Sequence, residues 1–201
     1  VSVKRALVFL ALQALVGLLV LLQFNRFAVF TGIASLLVVA IYPFMKRITY
    51  WPQVVLGLAF SWGALMGFAV ILQRIDAAAL FLYAGSIAWV IGYDTIYAHQ
   101  DAEDDALIGV KSTARLVGAR SGEALVVFYG LAVVLIGAAF GLAGAHWPAW
   151  LGLAVFALHL ASQIARLKIG DPVLCLRLFK SNRDAGLLLF AGVLIDAITR
   201  T

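Results

Sequence analysis

Seven apolar runs, each long enough or nearly so to cross about 30 Å of hydrocarbon as a helix, dominate this 201-residue chain. They fall roughly at residues 6–24, 28–45, 54–72, 77–93, 124–142, 149–167 and 185–198, and the last is the shortest. A bilayer core offers the backbone no water to bond with, so spanning segments of this kind satisfy their N–H and C=O groups as helices. With 64% hydrophobic and 12% charged residues, the composition is not that of an ordinary soluble domain. The expected fold is therefore all-α, a polytopic transmembrane bundle forming one domain over residues 1–201.

The basic residues set its orientation. If Lys4 and Arg5 face the cytoplasm, alternation of the runs puts Lys46, Arg47, Lys111, Arg115, Arg120, Arg166, Lys168, Arg177, Lys180 and Arg183 on the same side. Only Arg26, Arg74 and Arg200 fall opposite, a strong positive-inside bias. The net charge of +5 thus reports topology and attraction to lipid headgroups rather than nucleic-acid binding. The single cysteine, Cys175, excludes a disulfide within the chain and reads as a packing residue. No cleavable signal peptide stands out near the first run.

One long polar interruption breaks the pattern. Residues 92–118, GYDTIYAHQDAEDDALIGVKSTARLVG, hold Asp94, Asp101, Glu103, Asp104 and Asp105, half of the ten carboxylates, followed by Lys111 and Arg115. At 100° per residue, Asp94, Asp101 and Asp105 fall within about 60° of one another on a helical face, with Tyr97 beside them. Carboxylates this close repel unless a cation neutralises them, and an oxygen-only set suits Mg²⁺, whose other positions go to water and substrate phosphates. Lys111 and Arg115 are placed to hold the remaining phosphate oxygens. A solvated acidic loop is the plainer alternative.

The pattern D-T-x-Y-A-x-x-D-x-x-D-D, followed by I-G-V-K-S-T-A, resembles the second aspartate-rich motif of the UbiA superfamily of intramembrane prenyltransferases. A second stretch, YPFMKRITYWPQVVLG at 42–57, is similar to the branch that prenylates 4-hydroxybenzoate in ubiquinone biosynthesis. The resemblance implies that Asp101 and Asp105 bind Mg²⁺, that Asp94 and Tyr97 line the cavity, and that Lys111 approaches the diphosphate of a polyprenyl diphosphate. It also implies that Arg47 holds the carboxylate of 4-hydroxybenzoate, as its planar fork suits, with Lys46 and Tyr42 alongside. From spacing alone, Lys46 and Arg47 read equally as topology determinants. The expected setting is a bacterial or mitochondrial inner membrane, with the active-site loops on the cytoplasmic side.

The chemistry follows from charge. Diphosphate leaves an allylic carbon once Mg²⁺ and cationic side chains absorb its negative charge. The ring carbon ortho to a phenol hydroxyl then attacks, while a pocket within the membrane keeps water away. Phe60, Trp62, Phe68, Phe81 and Trp89 are available to line a tail groove, although membrane aromatics usually serve packing. The small residues of the third run, Gly57, Ala59, Ser61, Gly63, Ala64 and Gly67, read as close helix packing.

The remaining polar residues say less. His99 reads as an exposed loop histidine, His146 and His159 lie apart from it, and no zinc site is expected. Ser112 and Thr113 suit a helix cap or a phosphate contact, and S-N-R-D-A-G at 181–186 is similar to a family segment entering the last helix.

The superfamily's first motif, N-D-x-x-D-x-x-x-D, is missing, and no carboxylate precedes Asp76. With seven spans against the family's nine or so, the expectation is an N-terminally incomplete chain holding half of the metal site and inactive alone. Competing readings are a family member acting on dihydroxynaphthoate, homogentisate or haem, a small transporter gated by the acidic loop, and a purely structural remnant. A transporter would carry ionisable groups in mid-span, and the runs hold almost none.

Overall fold

In the computed structural model, which describes residues 2–100, 107, 109 and 111–200, the apolar runs are helices. The elements are α1 (Val3–Leu21), α2 (Arg26–Ile48), α3 (Pro52–Phe60), α4 (Trp62–Leu72), α5 (Ala77–Ala98), α6 (Thr113–Val117), α7 (Ser121–Leu142), α8 (Trp147–Arg166), α9 (Pro172–Lys180) and α10 (Asn182–Thr199). A 3₁₀ turn, Gly118–Arg120, joins α6 to α7. Among the described residues there is no strand.

Polar residues at the breaks start the helices. Side-chain oxygens of Asn25, Asp76 and Asp171 accept from the N–H groups of Ala28, Ala79 and Leu174 at 2.9, 3.1 and 2.9 Å, satisfying donors the helix leaves open. Pro52 and Pro172 open α3 and α9, where a missing N–H costs nothing. The third run is divided at Ser61, whose N–H still bonds Gly57 O at 2.9 Å, so α3 and α4 make one kinked span.

Among the described residues, six helical segments are long and apolar enough to cross a membrane, counting α3 with α4 and α6 with α7 as single segments. The seventh run is present as α10, an 18-residue helix, but Arg183, Asp184 and Asp196 interrupt its apolar character. The chain is a multi-pass membrane protein.

Its core lies between α5, α7, α8, α9 and α10, where Leu125, Ile136, Phe156, Leu160 and Leu178 are fully or almost fully buried. Lipid is as apolar as these side chains, so close packing rather than water exclusion holds them together. α8 and α10 cross at Gly152 and Gly192, where a Cβ on Gly192 would stand 2.6 Å from the Gly152 Cα. α1 packs sparsely against α2, and none of its residues is buried.

The third-run small residues divide. Gly57 does pack, with Ile87 O 3.2 Å from where its Cβ would be. Gly63 and Gly67 correct the sequence reading, because nothing lies within 4 Å of their Cβ positions. They line an apolar groove with Phe68, Ile71 and Leu82 instead.

Tertiary hydrogen bonds join segment ends that share a face. Asn25 donates to Ala69 O and Val70 O, and Arg200 to Gly144 O, on one face. Lys111 joins the end of α2 on the other. The bundle thus has two separated polar faces, as the alternation of runs requires.

Candidate active site

The two stretches singled out in the sequence meet. The Lys111 backbone N–H donates to Lys46 O at 2.9 Å, and Lys111 Nζ donates to Ile48 O at 3.1 Å while standing 5.3 Å from the centre of the Tyr50 ring. The next residue, Ser112, caps α6 by accepting from Arg115 N–H at 3.4 Å. The Thr113 N–H donates to Gln53 Oε1 at 3.2 Å, and Thr113 Oγ1 meets Thr95 Oγ1 at 3.0 Å. Gln53, Thr95 and Thr113 are buried, so these polar groups depend on one another for partners.

Asp94 stands beside this group on α5, half-buried. It makes a polar contact with the Gln53 side chain and lies in the field of the Lys46 ammonium. Tyr42, four residues before Lys46 on α2, is within electrostatic reach of the same carboxylate. Tyr42, Lys46, Gln53 and Asp94 therefore cluster where α2, α3 and α5 approach the basic face. Arg47 is exposed at the end of α2, and its side chain has no bonding partner among the described residues.

A cavity of about 450 Å³ reaches α5 at Tyr93, the residue before Asp94. Phe60, Ser61 and Ala64 wall it at the kink of the third span, and Ser86, Trp89 and Tyr93 wall it on α5. Phe179, Lys180, Asn182 and Arg183 close it at the α9–α10 junction. Tyr97 joins this wall indirectly, its ring 4.7 Å from that of Phe179. An apolar hollow with cationic groups at one end fits a molecule with a hydrocarbon body and an anionic head.

The expectation that Asp94, Asp101 and Asp105 share one helical face falls partly on residues outside those described. α5 ends at Ala98, three residues before Asp101, so its face carries Asp94 and Tyr97. Asp101 and Asp105, with Glu103 and Asp104, lie outside the described residues. Among the described residues no three metal-binding side chains gather. Lys111 is held by the end of α2 rather than left open for a phosphate alone.

His99 is a correction: it is 9% exposed, and its Nε2 meets Ser121 Oγ at 2.7 Å. Burial holds its pKa below the ordinary histidine value. His146 and His159 do lie apart from it, bonded to Asp196 and Ser181 respectively. Of the five tail-groove aromatics, Phe60 and Trp89 line the cavity and Phe68 lines the adjoining groove. Trp62 instead donates to Thr31 O at 3.0 Å, and Phe81 is exposed. Sequence reading missed Gln53, Thr95 and Tyr93; a glutamine flanked by an apolar run was the available signal.

Comparison with known proteins places this geometry. A profile of the UbiA prenyltransferase family matches residues 1–191. The mitochondrial 4-hydroxybenzoate polyprenyltransferase of Bos taurus is 45% identical over 205 residues, covering all of this chain and 54% of that protein. The Homo sapiens protein of the same name is 42% identical over 200 residues, covering 97% of this chain and 53% of that one. The chain thus spans about half the length of the curated relatives it matches. A solved UbiA homolog from Aeropyrum pernix K1, in its apo form, superimposes with a TM-score of 0.82 at 24% identity, over 98% of this chain and 74% of that one.

Proposed function

We propose, since this chain belongs to the UbiA prenyltransferase family, that it serves in transferring a polyprenyl group from polyprenyl diphosphate to the ring of 4-hydroxybenzoate. The observation that carries the reading is the junction at Lys46, Lys111 and Gln53, which ties the acceptor-type stretch to the segment following the acidic motif. Sequence identity of 42–45% with polyprenyltransferases of that name supports the acceptor. The reaction would serve ubiquinone biosynthesis.

In this reading the polyprenyl tail occupies the apolar cavity and its diphosphate lies toward the basic face. Enzymes of the family are generally metal-dependent. We assign Mg²⁺ to Asp101 and Asp105 on donor chemistry, since paired carboxylates and diphosphate oxygens are the hard ligands this ion prefers. Bound there, the ion would neutralise charge on the leaving diphosphate. Arg47, exposed and without a side-chain partner among the described residues, holds the aromatic carboxylate in a bidentate grip. Lys46 faces Asp94 and fixes that carboxylate beside the acceptor, with Tyr42 and Tyr97 flanking it. The apolar walls exclude water from the allylic carbon. The setting is an inner membrane, mitochondrial or bacterial, with the basic face on the cytoplasmic or matrix side, as the positive-inside bias supports.

The test is transfer of a labelled polyprenyl diphosphate to 4-hydroxybenzoate by membranes carrying the full-length gene. Product should require Mg²⁺ and disappear on chelation and with Asp101→Ala. Arg47→Ala should raise the KM for the aromatic acid on the order of 10- to 100-fold, the loss of a charge-assisted contact. Turnover of a different aromatic acceptor alone would keep the family chemistry and overturn the acceptor. No turnover of any acceptor would overturn the reading.

A further inference from the structure

A chain of buried and part-buried side-chain hydrogen bonds runs from α7 and α8 to the cavity wall. At its far end the Ser181 hydroxyl donates to Leu178 O at 2.7 Å, so its lone pairs are free to accept. Gln163 Nε2 donates to Ser181 Oγ at 3.0 Å, and His159 Nε2 meets the same oxygen at 3.3 Å. Gln163 Oε1 then accepts from Tyr129 OH at 2.7 Å and from Asn182 Nδ2 at 3.4 Å. Asn182 Nδ2 also donates to Leu178 O and Phe179 O, at 3.2 and 3.1 Å. Its Oδ1 is left to accept from Trp89 Nε1 at 2.8 Å.

Each amide in this chain has only one orientation that satisfies its neighbours. Turning Asn182 over would set its NH₂ against the indole N–H and its oxygen against two carbonyls. Turning Gln163 over would set its NH₂ against Asn182 Nδ2. Gln163 is 0% exposed and Tyr129 3%, in a bundle where an unpaired polar group costs more than in water. The relay therefore has a definite direction, and its output is the position of Trp89.

Trp89 is held on its other sides too. Its ring stands edge-on to Phe156 and Tyr93, at 5.0 and 5.8 Å between centres, and a Cβ at Gly186 would lie 3.1 Å from its Cη2. Trp89, Tyr93 and Phe179 form an aromatic side of the cavity, next to Lys180 and Arg183. Aromatic rings attract a desolvated cation, and Trp does so best. Packing alone would not need an indole fixed by hydrogen bonds through four helical segments.

We propose that Gln163 is a positioning residue: through Asn182 it fixes Trp89 as part of an aromatic wall against which the allylic cation forms. This rests on the functional reading above. The bond between the allylic carbon and the diphosphate oxygen breaks, with its electron pair leaving on the diphosphate. The ring carbon ortho to the phenol hydroxyl supplies the pair for the new C–C bond, and the released diphosphate takes up the ring proton. If the cation is less well held, water supplies the pair instead, giving polyprenyl alcohol and a proton.

The experiment measures turnover per folded protein and the split between prenylated acid and polyprenyl alcohol, using full-length protein in membranes. Gln163→Leu should lower turnover on the order of tenfold and raise the alcohol share, with the KM for polyprenyl diphosphate changed less than about twofold. Trp89→Leu should do at least as much, and the double variant should be no worse than Trp89→Leu alone, since the two act in series. Folded Gln163→Leu protein with wild-type turnover and split, or effects that multiply in the double variant, would overturn the proposal. If Gln163→Leu does not fold, Tyr129→Phe, which removes one hydroxyl of a residue that does not line the cavity, decides. It should shift the split the same way by less, and an unchanged split overturns the proposal. A wild type that prenylates no aromatic acid overturns the functional reading and this proposal with it. A wild type that does so, with the split unchanged in the variants, overturns this proposal alone.

Discussion

At the scale of single residues, His99 and Cys175 show how burial changes chemistry. His99 is desolvated against Ser121, so its neutral form is favoured in the folded protein. As pH falls through the ordinary histidine value of about 6.5, the unfolded chain takes up a proton before the folded one does. Stability therefore falls over that window, and is regained as pH rises above it. The unfolding temperature should be lower at pH 5.5 than at pH 7.5, and His99→Gln should flatten that part of the dependence in a thermal melt. The Cys175 thiol is fully buried, and burial, with Asp171 nearby, pushes its pKa up. It should resist maleimide in the folded protein and react only on denaturation; labelling of the native protein would contradict the burial. Cys175 was legible as a packing residue because one cysteine in an apolar chain has few other roles. His99 was not, because its partner Ser121 is 22 positions away and only the fold joins them.

The helices divide by what their glycines meet. At the α8–α10 crossing, backbone lies against backbone, so Gly192→Ala must push the helices apart and should cost about 1–3 kcal/mol. Gly67 faces open space in α4, where alanine also has the better helix propensity. Gly67→Ala should therefore leave stability unchanged or slightly raised. Thermal unfolding of both variants in one detergent checks the contrast, and equal losses would mean that α4 packs there after all. Helix positions were read well, since apolar length is a strong signal. The kink at Ser61 and the division of glycines into packed and open were not, because periodicity says which face is small and not what lies opposite it. Asp196 pairs with Arg200 one turn along α10, but its bond to His146 escaped sequence reading, because that partner arrives only when α10 folds back to the α7–α8 turn.

For the whole molecule, two polar faces separated by hydrocarbon define which ends can be reached from which side. With Cys175→Ala as background, single cysteines at Lys180 and Arg74 should label with an impermeant reagent from opposite sides of sealed vesicles. Labelling from the same side would overturn the alternation of spans. The two motif stretches were legible separately, and their direct contact was not, since 64 residues of chain lie between Lys46 and Lys111. That contact has a thermodynamic consequence. If filling the acceptor side orders the end of α2, and filling the donor side orders the segment at Lys111, the shared hydrogen bonds make each ligand stabilise what the other needs. Under the proposed function, linkage then requires reciprocity: whatever factor of affinity 4-hydroxybenzoate gains from bound polyprenyl diphosphate, the diphosphate gains from bound 4-hydroxybenzoate.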